Sequence, residues 1–200
     1  PTGALALGGS LVRSGGTIAA NGGTLQLTSS SAKTIQTGGS SLASLLFTGS
    51  GSWSFVDTNI TATGSTTIAA GTVTLPSGTL TLGGSFTNSA TFTHNSGTVL
   101  FNSTATGKTI TPGASAFYNV TFNGATGGWT ILNHTDIANN LTLSSVSTFT
   151  MTSAKTLTVS GTFTNSVSEA STTWAGSTLL LQGGGTYTIN TKTTGSDTYR

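Results

Sequence analysis

"TLTLGGSFTN", residues 79–88, decides the architecture, because the chain writes it more than once. It returns as "TLTVSGTFTN" at 156–165 and, more loosely, as "ALALGGSLVR" at 4–13, so the three copies are almost evenly spaced. The match runs on past these opening stretches. "GTIAANGGTLQLTSSSAKTI" (16–35) parallels "ATFTHNSGTVLFNSTATGKTI" (90–110) and "TTWAGSTLLLQGGGTYTI" (172–189), and "GSGSW" ending at Trp53 parallels "ATGGW" ending at Trp129. The chain therefore divides into repeats 1–75, 76–152 and a partial 153–200. A period of this kind is the signature of a repeat architecture.

A shorter beat runs inside each repeat: apolar, any, apolar, any, small. It is carried by Leu5, Leu25, Leu45, Ile60, Leu80, Val99, Val120, Leu141, Leu157 and Leu179. Most of these are evenly spaced, but the steps from Leu45 to Ile60 and from Leu141 to Leu157 are shorter than the rest. Alternate residues of a strand face opposite ways, so each motif is a short strand with one apolar face. The small residue that follows suits a turn or a close backbone approach. No such unit can bury its own apolar face, but stacking the next above it makes a continuous core. The expectation is an all-β, right-handed parallel β-helix (β-solenoid) of about ten coils. At ~4.8 Å per coil it would be a rod roughly 48 Å long. It would form a single continuous segment over 1–200, in which Leu5, Leu25, Leu45, Leu80, Val99, Val120, Leu141, Leu157 and Leu179 form the core ladder. Tandem β-sandwich domains are the rival. They explain the long period but not the beat that runs through 60–80 and 141–157.

Composition agrees with strands. Only 5% of residues are charged, where about 25% is usual. Gly is 28 of 200, hydrophobic residues are 34%, and Ser and Thr together exceed a third of the chain. Disordered chains combine low hydrophobicity with high net charge, and here the formal net charge is +2. The cations Arg13, Lys33, Lys108, Lys155, Lys192 and Arg200 are scattered, whereas nucleic-acid binding needs several on one face. No apolar run reaches the ~20 residues of a membrane helix. Cysteine is absent, which removes disulfides and thiolate metal sites. Residue 1 falls at an internal phase of the repeat and "DTYR" (197–200) stops just before a strand is due, so a segment of a longer chain is expected.

The supply of catalytic groups is thin. The acids are Asp57, Asp136, Glu169 and Asp197, and the histidines are His94 and His134. Asp57 and Asp136 fall four coils apart, ~19 Å, beyond the roughly 5 to 10 Å of glycosidase carboxylates. His94 and His134 fall two coils apart, too far for one metal ion. "GGGTYT" (183–188) lacks the aspartate of the calcium-binding nonapeptide, and "TGKT" (106–109) is only a fragment of a phosphate loop. These charged groups read as solvated surface residues, and no cofactor is expected.

The outward residue before each apolar pair is Ala4, Thr24, Ser44, Asn59, Thr79, Thr98, Asn119, Asn140, Thr156 or Thr178. Stacked Thr and Asn could form ladders along the rod, or simply reflect β propensity on a solvated face. Pairs of the form Thr-x-Thr at 79–81, 91–93, 109–111, 156–158 and 186–188 raise the alternative of ice binding, but these pairs do not recur once per coil. Leu46, Leu100 and Leu180 in the middle outward column, with Trp53 and Trp129, are candidate contacts to another rod or a partner. The tryptophans read equally well as packing against the core.

With the repeats laid out, "GTLTLGGSFTNSATFTHNSGTVLFNSTATGKTI" (78–110) and "FYNVTFNG" (117–124) resemble the repeats of large bacterial surface proteins. These include adhesins, autotransporter passengers and filamentous-haemagglutinin-like β-helices. The resemblance implies a non-catalytic, extracellular, structural or adhesive rod or filament at a bacterial cell surface. Its partners would be its own copies or cell-surface glycans. Ice-binding or glycan-binding solenoids are the alternatives.

Overall fold

The computed structural model describes residues 2–174 and 176–188. Its strands pair in parallel with coils above and below, and the chain winds through about nine turns of a β-solenoid. Tandem β-sandwiches are thereby excluded. Each coil has three faces, visited in a fixed order. The first face stacks Ala4–Leu7, Thr24–Leu27, Ser44–Phe47, Thr66–Ile68, Phe86–Asn88 and Lys108–Thr111 in sequence. The second stacks Leu11–Val12, Lys33–Gln36, Ser52–Phe55, Thr72–Thr74 and Thr91–Thr93. It resumes as Thr135–Ile137, Thr156–Val159 and Thr178–Leu181. The third stacks Ile60–Ala62, Thr79–Leu82 and Thr98–Phe101, and later Phe163–Asn165 and Tyr187–Thr188. In the sixth to eighth coils the long strands Asn119–Ile131 and Leu141–Met151 turn the corner from the third face to the first without a break.

This layout corrects the expected ladder. Leu5, Leu25 and Leu45 stack on the first face, Leu80, Val99, Val120 and Leu141 on the third, and Leu157 and Leu179 on the second. The short intervals are not short coils. From Leu45 to Ile60, and again from Leu141 to Leu157, the motif skips to another face after two-thirds of a turn. True register partners, such as Thr79 with Thr98 or Phe86 with Ile110, lie a full turn apart, which is why nine coils form rather than ten.

The same arithmetic applies to the long repeat. "ALALGGSLVR" runs from the first face to the second, "TLTLGGSFTN" from the third to the first, and "TLTVSGTFTN" from the second to the third. One sequence repeat thus spans three coils and two-thirds. Each repeat sets its features a third of a turn from the last, at a rise of roughly 18 Å.

Alternation on all three faces feeds one core that extends from Leu25 to Leu179. Aromatic rings form its spine: Phe86–Phe117 at 5.4 Å, Phe101–Phe122 stacked at 5.0 Å, Phe122–Phe149 at 5.1 Å and Phe149–Trp174 at 5.3 Å. Ring pairs at these separations contribute beyond their buried area, about 0.5–1.5 kcal/mol each. In the sixth coil the second face narrows to a single bridge, Phe117 to Ile137, and Phe117 keeps the stack closed by lying 5.1 Å from Phe92. Leu5 departs from its expected place in the core. It is 49% exposed, because no described coil lies beneath it, whereas its repeat counterpart Leu80 rests on Ile60 and is 1% exposed.

Candidate functional site

The side walls of the solenoid are the surfaces available for function, and several of their polar side chains are tied to neighbouring coils. Asn59 Oδ1 accepts from the Thr79 N–H at 2.8 Å, Asn140 Oδ1 from the Thr162 N–H at 2.8 Å, and Asn119 Oδ1 from the Asn140 N–H at 3.2 Å. Asn139 donates to that same Asn119 oxygen at 3.0 Å. These asparagines stand where a strand begins on the third face, and each carbonyl holds the next coil in register. These asparagines bond chiefly to backbone of the next coil and only once, Asn139 to Asn119, side chain to side chain.

The titratable groups do similar work. The Asp57 carboxylate accepts from the Thr37 N–H, from Thr37 Oγ1 at 3.2 Å and from the Gly38 N–H at 3.1 Å. On the same corner the Arg13 guanidinium donates to the carbonyls of Gly16 and Gly38. His134 Nδ1 accepts from the Thr156 N–H at 3.0 Å, and His94 Nδ1 from the Ser96 N–H at 3.0 Å, with its ring 5.1 Å from that of Tyr118. Asp57, His94 and His134 thus make structural hydrogen bonds from the surface, with Asp57 and His94 half-buried and His134 exposed. Among the described residues no cluster of three or more His, Cys, Asp or Glu could hold a metal ion. Asp197, Lys192 and Arg200 lie outside the described residues.

The candidate contacts separate. Leu46, Leu100 and Leu180 do point outward, Leu46 and Leu100 half-buried and Leu180 38% exposed. They sit on the first, third and second faces, so they make no common patch. Trp53 and Trp129 are not surface contacts: both are core residues, 0% and 1% exposed. Trp129 packs where Gly124 and Gly127 leave space, since a Cβ on either glycine would come within 3 Å of its ring. An apolar groove of about 60 Å³, lined by Leu5, Leu11, Ile18, Leu25 and Leu42, opens at the first coil.

The Thr-x-Thr pairs are distributed over all three faces: 79–81 and 186–188 on the third, 91–93 and 156–158 on the second, 109–111 on the first. Sequence spacing alone mixed these faces together. Sorted by face, a regular array does emerge on the first, and the missing signal was the face change at each short interval.

The fold is that of a β-solenoid repeat protein, and it fits a structural one. No family model matches the chain, and no curated protein or solved structure matches it either. Among the described residues no helix is long and apolar enough to cross a membrane.

Proposed function

We propose that this chain is a non-catalytic structural or adhesive rod that acts outside the cell, at a bacterial surface. The observation that carries the reading is where its polar chemistry goes. Asn59, Asn119, Asn140, His134 and Asp57 all direct side-chain acceptors at backbone N–H groups of an adjacent coil. Side chains used in this way resist separation of coils and slippage of register, which is what a spacer or fibre requires. The resemblance of 78–110 to bacterial surface repeats supports the location. Two forms of the role follow: an adhesin that offers a face to cell-surface glycans, and a subunit that associates with its own copies.

Antibodies raised against residues 1–200 test the proposal on the cells that make the protein. Labelling of intact cells is expected. Labelling that appears only after the envelope is permeabilised would overturn the surface role. Electron microscopy of the purified chain then separates the two forms, since a self-associating subunit gives filaments and an adhesin gives isolated short rods.

A further inference from the structure

The first face carries a plane of hydroxyl groups that the protein itself leaves uncommitted. From the fourth coil to the eighth, its outward residues stack in two columns. One runs Ser65, Ser85, Thr109, Thr130, Thr150; the other runs Thr67, Thr87, Thr111, Leu132, Thr152. Leu132 is the single interruption. Ser85 Oγ accepts from the Thr109 N–H, and Thr152 Oγ1 donates to the Ile131 carbonyl at 2.7 Å. The other hydroxyls of the two columns make no hydrogen bond to any described residue. Lys108, at the start of its strand, is the one charged residue on these first-face strands.

Neither other face matches this. The third face has one comparable column, Thr61, Thr81, Leu100, Thr121, Thr142 and Thr164, but its other column is broken three times by Asn59, Asn119 and Asn140, whose side chains are bonded to backbone. On the second, the array narrows to a bridge at Phe117 and then meets Asp136 and Leu180.

A surface that fits this plane must be uncharged and must offer donors and acceptors on a fixed two-dimensional grid. The grid spacings are about 4.8 Å between coils and roughly 6.7 Å between alternate residues of a strand. A hydroxyl both donates and accepts, as does each water molecule in a crystal of water, whose oxygens repeat at comparable distances. Threonine methyls between the hydroxyls add an apolar floor that favours ordered water above it. A sugar lattice would ask for exposed aromatic rings as stacking platforms, whereas Phe86, Trp129 and Phe149 of these strands are turned into the core. We propose that the first face, over Ser65–Thr152, binds ice. The proposal goes beyond the rod's structural role and does not depend on where the protein resides.

Uptake of the 1–200 chain into slowly growing ice tests it. The expected result is that the chain enters the ice while an unrelated soluble protein is excluded. Thr87→Lys and Thr130→Lys on the first face should abolish uptake, while Thr81→Lys and Thr121→Lys on the third should retain it. Circular dichroism confirms that each variant is folded. If a lysine variant unfolds, Thr87→Val and Thr130→Val remove the hydroxyls at nearly constant shape and should weaken uptake together. Exclusion of the unaltered chain from ice, or equal behaviour of first-face and third-face variants, would overturn the proposal.

Discussion

Asn88 and Asn165 end the same "FTN" triplet in two repeats, and both turn a polar amide into the wall of the core, each 2% exposed. Burial of an amide is tolerated only when its groups are paired. Asn88 Nδ2 donates to the Pro112 carbonyl at 2.8 Å, and Oδ1 accepts from the Ala90 N–H at 3.0 Å; Asn165 Oδ1 accepts from the Val167 N–H at 3.1 Å. Asn88→Leu leaves the Ala90 N–H and the Pro112 carbonyl without that partner. It should lower unfolding free energy by about 1–3 kcal/mol in urea denaturation. Asp57→Ala removes an acceptor shared by Thr37 and Gly38 and should cost a similar 1–3 kcal/mol or so, about the penalty for orphaning a buried donor, measured in the same way. The sequence could not announce either role. Pairing one coil away is invisible in a linear chain, so Asp57 reads as a solvated acid until the Thr37–Gly38 corner is seen beside it. Trp53 and Trp129 were ambiguous for a related reason, because an indole in a strand can face either way until the coil beside it is seen.

Strands were more legible than residues. Every apolar–x–apolar motif from Leu5 to Leu179 is a strand or part of one, because alternation is a local property that a half-buried strand imposes on its own sequence. The glycines after them were legible as to place but not as to cause. Gly83 and Gly84 turn the corner from the third face to the first, and neither needs a positive φ. A Cβ on Gly83 would lie 2.4 Å from the Thr63 carbonyl oxygen, and one on Gly84 would lie 2.4 Å from the Gly64 carbonyl carbon. Coils at corners approach more closely than a side chain allows. Gly84→Val should therefore lower stability by about 1–3 kcal/mol. Gly9, at the equivalent place in the first repeat, has no atom within 4 Å of such a Cβ. Gly9→Ala should change stability by no more than about 0.5 kcal/mol. Thermal melts of the two variants side by side check the contrast. Within the core, Phe122→Ala opens the aromatic spine between Phe101 and Phe149 and should cost about 3–5 kcal/mol.

At the scale of the whole molecule, the sequence repeat and the structural repeat do not coincide. A repeat of three coils and two-thirds brings equivalent residues back to the same face only after three repeats. Lys33–Gln36 lies on the second face and its counterpart Lys108–Thr111 on the first. Any feature written once per repeat is consequently displayed around the rod and not along one side. The first-face hydroxyl array is assembled from different parts of successive repeats for the same reason. Linear spacing concealed this, because all three faces ask for the same alternation and a strand carries no mark of its face. The two short intervals, Leu45 to Ile60 and Leu141 to Leu157, were the only trace. The most direct test uses the absence of cysteine to place pairs of them. The structure puts Leu46 beside Thr67 on the first face, one coil apart, at a strand spacing of about 4.8 Å that lies within reach of a disulfide. A single ladder of ten coils would instead put Leu46 beside Thr61. Under mild oxidation, with mass spectrometry as the readout, Leu46→Cys with Thr67→Cys should cross-link within the folded chain, and Leu46→Cys with Thr61→Cys should remain reduced. The reverse result would contradict the three-faced winding, and with it the screw displacement of the repeats.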